Sequence, residues 1–294
     1  MIVTTGFFDG VHLGHRALIR QLVEKSSSIG EESMIVTFWP HPRNVLQDDA
    51  RNLRLLSTLE EKKRMLSDLG VDDVRILNFT KEFSRLSTKE YLSDYVMGQF
   101  GATGLLLGYD NRIGSSPSSP DETASVARGL GLKVMIADSV SAPGDGVISS
   151  TKIREALSRG DVVQANSMLG YNYCLFGVVV SGNQLGRTMG FPTANMQLYE
   201  PLKLVPENGV YAVEVETLGE KYHGMCNIGV RPTVGNDNAL TIETNIFDFD
   251  KDIYGLDIKI SFVERIRQEC RFSGLNALQA QLCRDKRASI SIFG

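Results

Sequence analysis

Short apolar runs punctuate the first half of the chain: "MIVTTGFF", "SMIVTFWP", "DVRILNF", "TGLLLGYD" and "LKVMIAD". Between them, in "HRALIRQLVEKSSSIG", "TLEEKKRMLSDLG", "TKEYLSDYVMGQFG" and around "ETASVARGLG", apolar positions recur at helical spacing, and glycine repeatedly closes the segment. Fully apolar strands alternating with amphipathic helices predict an α/β domain whose parallel sheet is covered on both faces. The pattern changes after "TKIREALSRGDVVQANSMLG", which reads as one or two helices. From "YNYCLFGVVVSG" onward, through "GVYAVEVETLGEKYHGMCNIG", "LTIETNIFDFD" and "DIYGLDIKISFVERIR", the alternation has period two, which predicts an antiparallel sheet or small barrel. A closing segment, "SGLNALQAQLCRD", returns to helical spacing. The change of period sets the expected domains at residues 1–165 and 166–294.

At 294 residues and 42% hydrophobic content, each of two domains has enough apolar material for a core. A net charge of −4 argues against a nucleic-acid partner but leaves room for a locally basic cleft that takes anionic small molecules. Cys174, Cys226, Cys270 and Cys283 form no C-x-x-C pair, so free buried thiols are expected rather than a zinc or redox site. No apolar segment is long enough for a membrane span, and "MIVTTGFFDG" lacks the charged start of a signal peptide. The expectation is a cytoplasmic protein with no membrane partner; no motif speaks to its oligomeric state. The Ser/Pro-rich "GSSPSSPDE", residues 114–122, reads as a mobile loop.

The segment "GFFDGVHLGH", residues 6–15, holds two of the chain's four histidines directly after a strand. If a helix begins near Leu13 or Gly14, His12 and His15 lie on its first turn beside unpaired backbone N–H groups. Glycines there allow close backbone approach, and the helix dipole directs partial positive charge at a phosphate. A tight "DG" turn with capping or packed histidines is the alternative. Much later, "ISSTKIR" (148–154) offers hydroxyls and amides at a helix start and a guanidinium fork on Arg154. Plain N-capping by the serines is compatible with that role.

These two segments resemble the H-x-G-H nucleotidylyltransferases, and "FFDGVHLGH" is most similar to their bacterial flavin-nucleotide branch, which has a Rossmann-like fold. The resemblance implies that His12 and His15 bind ATP phosphates and stabilise charge developing at the α-phosphate. Ser150, Thr151 and Arg154 would close over the triphosphate, with Gly6, Phe8, Asp9, Gly10 and Gly14 completing the nucleotide site. In-line displacement at phosphorus needs positioning and charge stabilisation rather than a covalent nucleophile. "TFWPHP" (37–42) and "LLLGYDNRIG" (105–114) match the same branch, each ending a predicted strand, where open α/β sheets bind ligands. By resemblance Phe38, Pro40 and Pro42 shape a flavin pocket and Asp110 contacts the substrate, whereas Trp39 suits a core equally well. Asn111 and Ile113 stand where that family carries aromatics.

In the second half, "GNQLGRTMGFPTAN" (182–195) is no Walker A loop, yet it supplies glycine backbone, a cationic fork, and oxygens on Thr193 and Asn195. A turn-rich hairpin loop is the competing reading. Together with "ENGVYAV", "NIGVRPTVG" and "TIETNIFDFDKDIYG" it resembles a flavokinase, a six-stranded antiparallel barrel with a terminal helix that phosphorylates riboflavin. That resemblance implies Mg²⁺ and ATP phosphates held at Thr193 and Asn195, nucleotide contacts at Gly182, Gly186, Arg187 and Gly190, and Glu243 as the base for the ribityl hydroxyl. Asn245 and Asn172 stand where histidine and arginine are common in that family. "DFDKD" (248–252) is not a calcium loop, because Ile253 takes the required glycine position and Lys259 that of the bidentate glutamate. The "DKDIYG" part (250–255) reads as a hairpin turn with solvated charges.

Over nearly the whole chain, then, the resemblance is to a bifunctional flavin-cofactor enzyme, with FMN adenylyltransferase first and riboflavin kinase second. Riboflavin, FMN and FAD are its implied substrates and products, ATP its co-substrate and Mg²⁺ its cofactor. Two other readings remain: an adenylyltransferase for a pantetheine or nicotinate nucleotide, against which the barrel argues, and a flavin-sensing protein whose first site has decayed.

Overall fold

The computed structural model describes residues 1–46, 53–108, 113–115, 119–138, 148–182, 186, 189–232 and 238–294. Asp110, Asn111 and Arg187 lie outside the described residues. By contacts the chain divides into two compact units, Met1–Ser150 and Thr151–Gly294.

In the first unit, strands β1 (Ile2–Thr5), β2 (Ser33–Trp39), β3 (Asp73–Asn78), β4 (Gly104–Leu107) and β5 (Lys133–Ile136) form a parallel sheet in the order β3-β2-β1-β4-β5. The continuous apolar runs follow from burial on both faces. Val3, Met34, Val36, Leu105 and Leu107 pack on one side, and Ile2, Ile35 and Leu106 on the other. Helix α1 (Leu13–Ser28) covers the second face through Ile19 and Leu22. After α2 (Pro42–Leu46) and α3 (Leu59–Ser67), α4 (Thr88–Glu90) runs into a π-helical stretch, Tyr91–Gln99, that covers the first face. Helix α5 (Pro120–Gly129) joins it there through Ala124 and Ala127. Part of the expected Ser/Pro loop is in fact a helix start, because Ser119 and Glu122 form a capping box and Pro120 occupies the first turn. The strand order reverses direction between β1 and β4, so their C-terminal ends flank the crevice where such sheets bind ligands.

In the second unit, α6 (Ser150–Ser158, its first residue at the boundary) and α7 (Val162–Leu169) precede a closed antiparallel barrel. Its strands are β6 (Cys174–Val180), β7 (Ala194–Leu198), β8 (Gly209–Thr217), β9 (Glu220–Pro232), β10 (Asn238–Ile246) and β11 (Asp257–Arg267), in the order β10-β7-β6-β11-β8-β9. Gly177 permits the β6–β7 approach, since a Cβ there would lie 2.2 Å from the Gln197 carbonyl oxygen. Helix α8 (Leu275–Phe293) packs across β8, β9 and β11. It runs beyond the helical pattern legible in sequence, because Ser289 donates to the Gly224 carbonyl at 3.0 Å and the Phe293 ring stacks on His223 at 3.9 Å. None of the four cysteines forms a disulfide, but only Cys226 is buried and Cys270 is exposed, which corrects the expectation of uniformly buried thiols.

Candidate active sites

The loop after β1 is built on strained backbone. Phe8, Gly10 and Val11 have φ of 50°, 79° and 36°. For Phe and a β-branched Val such angles persist only where surrounding contacts enforce them, as here, with exposures of 2% and 0%. Asp9 supplies the enforcement: its carboxylate accepts from the Leu56 and Ser57 amides and the Ser57 hydroxyl at 3.0–3.1 Å. Ser57 Oγ in turn accepts from Gly10 N at 3.0 Å, and the Asp9 carbonyl accepts from Ser150 Oγ at 3.0 Å.

This loop delivers His12 to the N-cap of α1, where its Nδ1 accepts from His15 N at 3.3 Å. An accepting Nδ1 leaves the proton of the neutral ring on Nε2. The rings of His12 and His15 stack at 3.6 Å, and Gly14 leaves them room, since a Cβ there would touch the His12 ring at 3.3 Å. Among the described residues His15 Nδ1 is buried without a partner, as expected of a group awaiting a ligand. A cavity of about 210 Å³ opens here, bounded by His12, His15, Gly108, Asp138, Ser149 and Ser150. It lies over the C-terminal ends of β1, β4 and β5, at the reversal of strand order.

Burial lowers His12 to about 4, against the attraction of Asp9. His15 falls well below the ordinary histidine value through burial, then the charges of His12 and Lys62. Both rings are therefore neutral at pH 7, and the site's positive potential comes from the helix N-terminus and Lys62. Because the unfolded histidines titrate near 6.5 and the folded ones lower, the unfolded chain binds more protons between those values. Stability is complete above about pH 6.5 and is lost as pH falls toward 4, by up to about 3 kcal/mol for His12. Chemical denaturation of the first unit at pH 7 and pH 5 should show this loss, and His12→Gln should flatten it.

At the neighbouring end of β2, Phe38 sits among Phe7, Phe79, Phe83 and Tyr91 at centroid distances of 5.2–6.2 Å. The peptide Trp39–Pro40 is cis, and Pro42 opens α2. Phe38 is thus mainly a core residue, and Phe7 and the half-buried His41, 5.4 Å apart, stand beside it. Ile113 is core, and its carbonyl accepts from Thr88 Oγ1 at 2.6 Å.

The barrel centre gathers a different set. Glu243 on β10 pairs in register with Asn195 on β7, and Thr193 Oγ1 donates to Glu243 Oε2 at 3.5 Å. Asn245 Nδ2 holds the turn by donating to the Pro192 carbonyl at 2.7 Å. Gly182 leaves space for the Asn195 amide, which a Cβ would approach to 2.3 Å, and Gly186 allows Phe191 N to bond its carbonyl at 2.8 Å. Gly190, at φ 80°, completes the loop. Two cavities meet here. One, of about 300 Å³, is bounded by Thr193, Glu243, Phe191, Met225 and α8; the other, of about 350 Å³, by Thr193, Thr244, Phe249, Lys251 and Tyr254. Thr193 belongs to both. The charges of the turn at 250–255, Asp250, Lys251 and Asp252, are exposed, as read from sequence, and the same segment also walls the second cavity. Sequence reading also missed Lys62, Ser57 and the Arg267–Asp285 pair at 2.8 Å that ties α8 to the first cavity; charge at a helix's core-facing position was the available signal for Lys62 and Asp285. Thr151 and Arg154 follow Ser150 on α6.

An α/β unit with a cavity at a helix N-terminus, followed by a barrel in which Thr193 borders two cavities beside Glu243, fits a two-centre nucleotide-dependent transferase. Residues 1–152 match the FAD synthetase family model and residues 169–293 the riboflavin kinase model. The bifunctional riboflavin kinase/FMN adenylyltransferases of Listeria monocytogenes and Escherichia coli K12 are 38% and 37% identical, over 99% and 100% of this chain and 92% and 93% of theirs. The chain belongs to the bifunctional riboflavin kinase/FMN adenylyltransferase family. It phosphorylates riboflavin to FMN and adenylylates FMN to FAD, with ATP as co-substrate. A crystal structure described as a macrolide-efflux protein from Streptococcus pneumoniae shares the fold at a TM-score of 0.91 and 31% identity, over 98% of this chain and 93% of that one. Among the described residues no helix is long and apolar enough to cross a membrane.

Proposed function

We propose the following division of labour. In the adenylyltransferase, ATP phosphates sit at the N-terminus of α1, where Gly6, Gly10 and Gly14 admit the backbone closely and Phe8 and Asp9 fix the loop. His12 and His15 donate to the α-phosphate oxygens; the arriving negative charge draws them toward the protonated form as the charge grows. Ser150, Thr151 and Arg154 on α6 hold the triphosphate, and the proposed domains, 1–165 and 166–294, keep all three in the adenylyltransferase. The FMN phosphate oxygen forms a bond to the α-phosphorus while the bond to pyrophosphate breaks. Pro40 and Pro42, with the largely core Phe38, border the flavin, and Asp110, outside the described residues, is the proposed substrate contact.

In the kinase, riboflavin occupies the cavity between the barrel and α8, and ATP the cavity walled by the 249–254 turn. Gly182, Gly186 and Gly190 are the proposed phosphate contacts, Gly186 from the wall of the first cavity, and Arg187, outside the described residues, is proposed to join them. Glu243 takes the proton of the ribityl hydroxyl as that oxygen bonds to the γ-phosphorus and ADP leaves. What carries this reading is Thr193, which borders both cavities beside Glu243. Among the described residues no cluster of three or more His, Cys, Asp or Glu could hold a metal. Thr193, Asn195 and Glu243 nevertheless offer the hard oxygen donors that suit Mg²⁺, which usually relies on few protein ligands, substrate phosphates and water. Thr193 and Asn195 would hold the ion, which when bound neutralises phosphate charge. The substrates are all small molecules, and we place the enzyme in the cytoplasm without nucleic-acid or membrane partners. Asn195→Ala should raise the Mg²⁺ needed for half-maximal phosphorylation by at least about tenfold, with FAD formation from supplied FMN unchanged. An unaltered Mg²⁺ titration would move the ion elsewhere.

A further inference from the structure

Lys62 lies on α3 at a core-facing position, one turn before the fully buried Leu66, and is itself only 5% exposed. A charge in such a place is costly unless its donors are satisfied. Here Nζ donates to the Phe7 carbonyl at 3.1 Å and the Phe38 carbonyl at 3.2 Å. Phe7 belongs to the loop that carries His12, and Phe38 precedes the Trp39–Pro40 turn. The same Phe7 carbonyl also accepts from Thr37 Oγ1 at 3.2 Å, so β2 and α3 grip the loop at one atom. Helix α3 is itself anchored, because Thr58 and Glu61 close a capping box at its start.

We propose that Lys62 is a positioning residue for adenylyl transfer, its buried ammonium locking the phosphate loop to the flavin turn so that the FMN phosphate meets the α-phosphate of ATP in line. This rests on the adenylyltransferase site given above. The groups facing the ammonium are Asp9 from the loop after β1, His15 from α1 and the Trp39 ring at 5.9 Å; Glu61 on its own helix is bound to Thr58 N. Burial, opposed by Asp9, brings Lys62 down to about 8. The ammonium is therefore present at pH 7 and is lost as pH rises through 8, and both carbonyls then lose their charged donor.

The test uses the full chain, with riboflavin phosphorylation in the same samples reporting the concentration of active protein. Lys62→Met keeps the apolar stem and removes the charge. It should lower kcat for FAD formation about 100-fold, as misplacement of reacting groups does, with the KM values for ATP and FMN nearly unchanged. Wild-type kcat should fall above pH 8, and this limb should be absent in Lys62→Met. Lys62→Arg, charged throughout this range, should recover part of the rate and hold it above pH 8. A wild-type profile flat through pH 8–9 overturns the proposal even if the methionine variant does not fold. So does Lys62→Met with near-native kcat, or a loss confined to KM. His15→Ala separates the layers: if that variant makes FAD normally, the site assignment itself fails, whereas loss in His15→Ala with none in Lys62→Met sinks only the role of Lys62.

Discussion

His15→Ala should lower the rate of FAD formation from FMN and ATP by about 10²–10³-fold, the usual consequence of removing one donor aimed at developing charge. Riboflavin phosphorylation by the same protein should be unchanged. The ring lies at the wall of the adenylyltransferase cavity, stacks on His12, and presents a buried nitrogen that none of the described residues satisfies. Removing it leaves the amides at the N-terminus of α1, so ATP still binds and the loss falls on kcat. The ring's neighbours are Phe8 at 5.2 Å and His12 at 3.6 Å, and the strained loop keeps its Asp9 bonds, so the fold should survive. Chromatographic time courses of riboflavin, FMN and FAD, started once from riboflavin and once from FMN, read both activities. FAD appearing at the native rate would falsify the anion site.

Glu243→Gln should have the converse effect. Phosphorylation of riboflavin should fall by about 10²–10⁴-fold, the range for loss of a general base, while FAD still forms from supplied FMN. Glutamine keeps the shape and the acceptor facing Thr193 but cannot take the hydroxyl proton, so the loss should appear in kcat with the KM for riboflavin retained. A raised KM with native kcat would make Glu243 a binding group and leave the base to be sought elsewhere along the first cavity. The two variants mixed together should make FAD from riboflavin, because each supplies the centre that the other lacks.

Much of this was legible in the sequence. The parallel sheet, the antiparallel strands of the second half and a helix start near Leu13 or Gly14 follow from apolar period and local caps, which depend on consecutive residues. The two histidines and the Pro-Thr-Ala-Asn turn were found for the same reason, since each motif lies within one loop. Helix α8 marks the limit. Its last residues, "KRASISIF", carry no clear helical signal, and they are helical because Ser289 and Phe293 find partners on β9. The strain at Phe8 and Val11 was equally invisible, because it is imposed by Asp9 and by Leu56 and Ser57, some forty-seven residues away.

The sequence by itself determined the order of elements, the change from helical to two-residue period and the residue types gathered in the two loops. Only the tertiary structure decided that Thr193 stands between two cavities, that a charged turn walls one of them, and that a lysine on α3 grips the ends of β1 and β2. Period, caps and turns are short-range properties written in neighbouring residues. Burial and proximity arise from pairs far apart in the chain, and a buried ammonium beside two carbonyls exists only once the sheet has brought those loops together.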